Sequence, residues 1–93
     1  MASKVSCSHI LVPTEAEAKQ LLQRIKSGER FEDVAQKYSK CPSGKKGGEL
    51  GWFGPGQMVK PFEDAAFKGK KGEIVGPVKT EFGWHIIKIT DSR

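Results

Sequence analysis

The sequence predicts an α+β domain built on a mixed or antiparallel four-stranded sheet, with elements in the order β, α, α, loop, β, α, β, β. Three segments have apolar residues at a helical spacing, and strand-like segments occupy both ends of the chain. Helices and strands do not alternate regularly, and the last two strands lie close enough in sequence to form a hairpin. Both features are typical of the α+β class.

The first strand covers about residues 4–12 and leads directly into a helix. Thr14 and Glu17 have the spacing of a capping box, and Ser27-Gly28 supplies a C-terminal stop. A second, shorter helix follows, and we expect both helices to cover one face of the sheet. The apolar positions are Ala18, Leu21, Leu22 and Ile25 in the first helix, and Phe31, Val34, Ala35 and Tyr38 in the second.

The second half of the chain contains shorter elements. Residues 39–49 are rich in Ser, Lys, Pro and Gly and predict a long loop, which is followed by a strand at 50–53 and a turn-rich connection at 54–59. Pro61 is expected at the first position of a third helix, because its missing N–H costs nothing there. Residues 74–79 predict a strand, and residues 80–83 form the turn into a last strand that ends near Ile89.

Length and composition limit the class of protein. A chain of 93 residues has room for one domain with one modest core, so we expect a single domain over residues 1–93. We also expect a monomer, because no heptad pattern or exposed apolar strip remains after the core is assigned. The chain is 37% hydrophobic and 29% charged, and no apolar run approaches the roughly 18 residues of a membrane span. No signal-peptide pattern is present and the two cysteines lie far apart, so we expect a cytoplasmic protein with free thiols and no membrane partner.

The net charge of +5 includes two small lysine clusters, Lys45-Lys46 and Lys68 to Lys71. We interpret these clusters as a solvated surface. No Arg-rich run or basic stripe with interleaved aromatic residues is present, so no nucleic-acid partner is expected.

Each terminal strand carries one histidine. Because side chains alternate across a strand, His9 shares a face with Cys7, and His85 shares a face with Ile87. A buried imidazole needs partners for its ring nitrogens. We therefore expect the two rings to bond each other across adjacent strands, either as a core network or as part of a functional site.

Five segments combine these features in a fixed order: SHILV at 8–12, SKCPSG at 39–44, GGELG at 47–51, GQMVKPFEDAAF at 56–67 and FGWHII at 82–87. Together they resemble the parvulin family of peptidyl-prolyl cis/trans isomerases, in its single-domain type without phosphate specificity. The resemblance extends from about residue 5 to residue 89. It implies a four-stranded antiparallel sheet surrounded by three to four short helices, and an enzyme that needs no cofactor or metal and acts on proline-containing polypeptides.

The resemblance also implies the site. His9 and His85 would pair at its floor with Cys41 above them, and these three are the candidate catalytic residues. The candidate substrate-binding residues comprise a pocket for the proline ring, two bordering residues and two residues of the hairpin turn that closes over the site. They are Leu50, Met58 and Phe62, then Gln57 and Ser43, then Thr80 and Phe82.

Rotation about an Xaa-Pro bond breaks no covalent bond, so an enzyme only needs to favour the twisted state. An apolar pocket suits this state, because the carbonyl loses charge separation as resonance is lost. Cys41 is open to three interpretations: a nucleophile, an electrostatic partner of the carbonyl oxygen, or a small buried hydrophobe. We favour the electrostatic one, since some parvulins carry Asp at this position.

Phosphate-specific parvulins carry a basic insertion after the first strand, whereas here Val12 leads directly to Pro13. We therefore expect a hydrophobic residue before the substrate proline and assistance to protein folding. The main alternative is a non-catalytic peptide-binding or chaperone module that uses the same pocket. Two further alternatives are a thiol hydrolase that pairs Cys41 with a histidine, and a zinc site. The zinc ligands would be Cys7, His9, Cys41 and His85.

Overall fold

The computed structural model describes residues 3–93, and these form one sheet with helices on both faces. The strands are β1 (Val5–Val12), β2 (Glu49–Phe53), β3 (Ile74–Thr80) and β4 (Gly83–Ser92). The helices are α1 (Glu15–Lys26), α2 (Phe31–Tyr38) and α3 (Lys60–Lys68), with a 3₁₀ helix at Pro42–Lys46. The sheet is antiparallel with the order β2-β1-β4-β3. This confirms the predicted fold class and element order.

The two central strands, β1 and β4, place both histidines on one face of the sheet. Leu11 lies opposite His85 and His9 lies opposite Ile87. Because directly opposed residues share a face and His9 is two residues from Leu11, the two histidines are diagonal neighbours. At that separation their rings are able to meet.

Helices α1 and α2 cover the other face of the sheet, as the sequence predicts. Ile10, Val12 and Ile86 of the sheet pack there against the buried residues of the helices. Those helical residues are Ala18, Leu21, Ile25, Phe31, Val34 and Ala35. The Thr14 hydroxyl accepts a hydrogen bond from the Glu17 backbone N–H at 3.3 Å, which caps α1.

Helix α3 packs on the histidine face. Its residues Phe62 and Ala66 join a second core with Cys7, Ile87 and Ile89. The helix begins one residue earlier than predicted, with Val59 as its N-cap, so that proline occupies the second helical position. The missing proline N–H costs nothing there either, because the first four N–H groups of a helix have no intrahelical partner.

The sheet is longer than predicted at both ends of its last hairpin. β3 continues to Thr80, which was expected in the turn, and β4 continues to Ser92 instead of ending near Ile89. The extension of β4 follows from its pairing with the start of β1, where Val5 lies opposite Ser92. The Arg93 N–H donates to the Lys4 carbonyl at 2.9 Å just beyond it.

The predicted loop at 39–49 contains the 3₁₀ helix and packs directly on β1. The His9 backbone N–H donates to the Gly48 carbonyl at 2.9 Å. Gly48 has a φ of +86°, and a Cβ atom there would overlap the His9 carbonyl oxygen. Only glycine fits this close approach.

Across residues 3–93, none of the helices has the length and apolar character required to cross a membrane.

Candidate active site

A cavity of about 540 Å³ opens on the histidine face of the sheet, and its wall is mostly apolar. Its lining residues are His9, Leu11, Lys40, Cys41, Pro42, Leu50, Gln57, Met58, Val59, Phe62, Phe82 and His85. The cavity thus brings together the three predicted catalytic residues and the predicted substrate-binding residues except Ser43 and Thr80.

The two histidine rings bond each other directly. Their Nδ1 atoms are 3.0 Å apart, and the rings stack with centroids 5.2 Å apart. One Nδ1 donates its proton and the other accepts it, so this contact requires an unprotonated nitrogen on one ring. The expectation that the imidazoles bond each other across adjacent strands is confirmed.

Burial keeps both imidazoles neutral. Burial, and secondarily the neighbouring His85, lower the pKa of His9 to about 4. Burial also lowers the pKa of His85. At neutral pH the pair therefore adds no positive charge to the cavity, and it acts as a neutral hydrogen-bonding unit.

Thr80 contacts the histidine pair from outside the cavity. Its hydroxyl lies 2.7 Å from Nε2 of His85 and accepts a hydrogen bond from the Phe82 backbone N–H at 3.1 Å. Thr80 is the last residue of β3 and is buried. Its side chain contacts His85 and does not line the cavity. It fixes the orientation of His85 and the start of the turn that carries Phe82.

Phe62 forms the floor next to the histidines. Its ring meets His9 edge-on at 5.6 Å and His85 edge-on at 5.3 Å between centroids. The side chain is almost completely buried, so these contacts limit the movement of both imidazoles.

Hydrogen bonds to β1 position the segment that carries Cys41. The Ser39 hydroxyl accepts from the backbone N–H groups of Leu11 at 3.1 Å and Cys41 at 3.3 Å. The Lys40 N–H donates to the Leu11 carbonyl at 2.7 Å. The Ser43 hydroxyl donates to Cys41 Sγ at 3.3 Å, so Ser43 contacts the thiol without lining the cavity.

The connection between β2 and α3 forms the opposite wall. The Gln57 side-chain oxygen accepts from the Gly54 N–H at 2.8 Å, and the Glu63 carboxylate accepts from the Gly56 N–H at 2.5 Å. These bonds hold the short loop that presents Met58 to the cavity. Phe82 is 63% exposed and stands at the rim, on the turn between β3 and β4.

Sequence reasoning did not select four lining residues: Leu11, Lys40, Pro42 and Val59. Leu11 could have been found from strand alternation, because it lies two residues after His9. Pro42 and Val59 are chain neighbours of Cys41 and Met58. Lys40 gave no signal, because a lysine in a polar loop is expected at the surface.

The thiol-hydrolase and zinc-site alternatives find little support in the geometry. Among residues 3–93, no three His, Cys, Asp or Glu side chains are grouped so that they could hold a metal ion. The side-chain hydrogen bond to the Cys41 thiol comes from Ser43 rather than from a histidine.

The comparisons with known proteins agree with this geometry. Residues 1–93 match the model of the PPIC-type PPIase domain. The foldase protein PrsA of Geobacillus kaustophilus is 54% identical over 89 residues, which cover 95% of this chain and 32% of the relative. The chain thus spans about a third of the length of the curated relatives it matches.

Solved structures of similar proteins have the same fold as this chain. PrsA from Bacillus cereus has a TM-score of 0.95 at 52% identity, covering 99% of this chain and 36% of that one. NmPin, the parvulin of Nitrosopumilus maritimus, has a TM-score of 0.87 at 50% identity, covering 98% of this chain and 99% of that one. The fold and the family match define a peptidyl-prolyl isomerase domain. The chain belongs to the PPIC-type, or parvulin, family of peptidyl-prolyl cis/trans isomerases.

Proposed function

We propose that this domain accelerates cis/trans isomerisation of Xaa-Pro bonds in polypeptides without forming a covalent intermediate. The observation that carries the proposal is the cavity itself, which places an apolar wall beside a neutral histidine pair. The uncatalysed barrier of about 18–20 kcal/mol comes from amide resonance, so the enzyme has to stabilise the twisted amide selectively.

The apolar wall provides most of the stabilisation of the twisted amide. Leu50, Met58 and Phe62 hold the pyrrolidine ring while the carbonyl of the preceding residue rotates. The twisted amide is less polar than the planar one, and its preference for an apolar cavity lowers the barrier. Met58 fits rings of either isomer, because its unbranched side chain adapts its shape.

The polar residues have two roles in this proposal. His9 and His85 form the rigid floor, since their mutual bond, Thr80 and Phe62 fix both rings. Cys41 faces the rotating carbonyl and acts on it electrostatically. A nucleophilic thiolate is not required, because no bond is cleaved during the rotation.

The rim favours a hydrophobic residue before proline. Phe82 and Met58 offer apolar surface there, and only Pro13 and Thr14 separate β1 from α1, which leaves no basic insertion to bind a phosphate. The clients would therefore be unmodified proline sites in folding chains, and the foldase name of the PrsA relatives supports a role in folding. We further propose a cytoplasmic monomer, in keeping with its free thiols.

The test is NMR exchange spectroscopy on the peptide Ala-Leu-Pro-Phe, with phosphoserine-Pro and Glu-Pro versions alongside and catalytic amounts of protein. We expect faster exchange for Leu-Pro, a smaller gain for Glu-Pro and no preference for phosphoserine-Pro. Broadened peptide resonances without any rate gain would contradict isomerase activity. That outcome would instead support the non-catalytic peptide-binding or chaperone module.

A further inference from the structure

One of the residues that line the cavity, Lys40, is formally charged. All of the other lining residues are apolar, neutral polar, or histidines whose pKa values are lowered by burial. A substrate in this cavity therefore meets a wall that is apolar or neutral except for one charged residue at its edge.

The structure fixes where Lys40 stands. Its backbone N–H donates to the Leu11 carbonyl, and its neighbours Ser39 and Cys41 are joined by a hydrogen bond at 3.3 Å. This anchors the residue at the end of β1, beside the thiol. The four-carbon stem leaves the ammonium group free to reach a bound peptide.

The charge of Lys40 is not neutralised within the domain. Over residues 3–93, no carboxylate lies within 4 Å of its ammonium group, whereas Lys88 pairs with Glu32 at 3.3 Å. The side chain is exposed. Lys45 lines an adjacent cavity together with Lys40 but does not line this one.

We propose that Lys40 makes the cavity selective for proline sites that carry an acidic side chain adjacent to the Xaa-Pro dipeptide. This inference rests on the proposed isomerase function and names the class of substrate for the same site. A hydrophobic residue before proline and the ring itself occupy the apolar wall, and the flanking carboxylate pairs with the Lys40 ammonium. The net charge of +5 favours the approach of acidic chains.

The experiment compares peptides that differ only in charge: Ala-Glu-Leu-Pro-Phe against Ala-Gln-Leu-Pro-Phe, and Ala-Leu-Pro-Glu against Ala-Leu-Pro-Gln. We expect kcat/KM to be about threefold to fivefold higher for the Glu peptide of at least one pair, the size of a solvent-exposed ion pair. The preference should appear in KM and decrease as salt is added.

Three variants assign the effect. In Lys40→Gln the Glu-to-Gln ratio should fall to about one, and in Lys40→Glu it should invert, whatever the absolute rates. Lys45→Gln, which changes a lysine outside this cavity, should keep the wild-type ratio. Equal kcat/KM for Glu and Gln peptides, or a preference that survives in Lys40→Gln, would overturn the inference.

The two proposals can fail separately. The Gln peptides measure isomerisation without the charge, so a rate gain on them supports the enzyme whether or not Glu is preferred. If no peptide is accelerated, dissociation constants from titrations of the same pairs still measure charge selectivity. Equal constants for Glu and Gln peptides would then overturn the role of Lys40.

Discussion

At the scale of single residues, the histidine pair is the feature whose hydrogen bonding depends most strongly on the fold. Its rings are nearly completely buried, and each depends on the other for a hydrogen bond at Nδ1. In the described part of the chain, Nε2 of His9 is buried without a partner. A proton added to His9 would therefore face both desolvation and the neighbouring ring.

This predicts a loss of stability in mild acid. The folded-state pKa of His9 is about 4, below its ordinary 6.5, so between these values the unfolded chain binds more protons and acidification favours unfolding. The lowered pKa of His9 corresponds to about 3 kcal/mol of free energy of unfolding, which is fully present above pH 6.5 and is lost progressively as the pH falls from 6.5 through 4. The lowered pKa of His85 acts in the same direction. Urea unfolding at a series of pH values measures this dependence.

The matched variant is His9→Leu. It should lower the melting temperature at neutral pH, because Nδ1 of His85 loses its partner, and it should flatten the dependence on pH while part of the isomerase activity remains. Complete loss of activity at unchanged stability would point to direct catalysis by His9. An unchanged pH dependence would argue against its low pKa.

Cys41 provides a second prediction at this scale. If the thiol acts electrostatically, Cys41→Asp should keep substantial activity, because a carboxylate also places a polar group against the rotating carbonyl. NMR exchange with the Leu-Pro peptide measures the rate, and circular dichroism checks the fold. Loss of all activity in a folded Cys41→Asp protein would instead favour an obligatory thiol.

At the scale of elements, two short segments place the cavity wall. Ser39 ties the Cys41 segment to β1, and the Glu63 carboxylate ties the loop at Gly56 to α3. Since α3 also carries Phe62 and Met58 follows the tied loop, we expect this second tie to limit the distance between Met58 and the cavity floor. Neither tie is a hydrogen bond between two strands, so we expect that both can be weakened without loss of the fold.

We predict that Glu63→Ala raises KM for the Leu-Pro peptide by about threefold to fivefold with little change in kcat or melting temperature, because one hydrogen bond to a charged group is lost. Glu63→Gln retains an acceptor oxygen and should restore most of the affinity. Asp64→Ala is the control, because that carboxylate faces Lys60 at 3.9 Å on an exposed surface. Equal effects of Glu63→Ala and Asp64→Ala would contradict the role of the tie.

At the scale of the whole molecule, one sheet separates two cores. The α1 and α2 core lies on the opposite face of the sheet from the cavity, whereas the α3 core includes Phe62, which lines the cavity. Both cores depend on β1 and β4. Stability should thus respond to either core, and activity only to the second.

A pair of substitutions tests this division. Val34→Ala, in the α1 and α2 core, should lower the free energy of unfolding by about 2 kcal/mol while kcat and KM of the folded protein stay unchanged. Phe62→Ala should cost about 3–5 kcal/mol and remove most of the activity. Urea unfolding and NMR exchange on the same samples measure both quantities. A large kinetic effect of Val34→Ala would show that the two faces are coupled.

The sequence by itself determined the α+β class and the element order, because periodicity and turn residues are local properties of the chain. It also predicted the histidine pairing, because strand alternation places each ring among apolar neighbours and a buried imidazole needs a partner. It also singled out Cys41 and Phe62, through the order of five segments. The sequence did not determine where β4 ends: the strand runs on to Ser92 because it pairs with the start of β1, which is a long-range effect.

Tertiary structure alone decided how the site residues divide. Thr80 and Ser43 support His85 and Cys41 from outside the cavity, whereas Lys40 enters its lining. These positions depend on which hydrogen bonds form between segments distant in sequence, such as the bond from Leu11 to Ser39. Residue types and spacing do not predict such contacts, so only the folded chain shows that Lys40 lines the cavity.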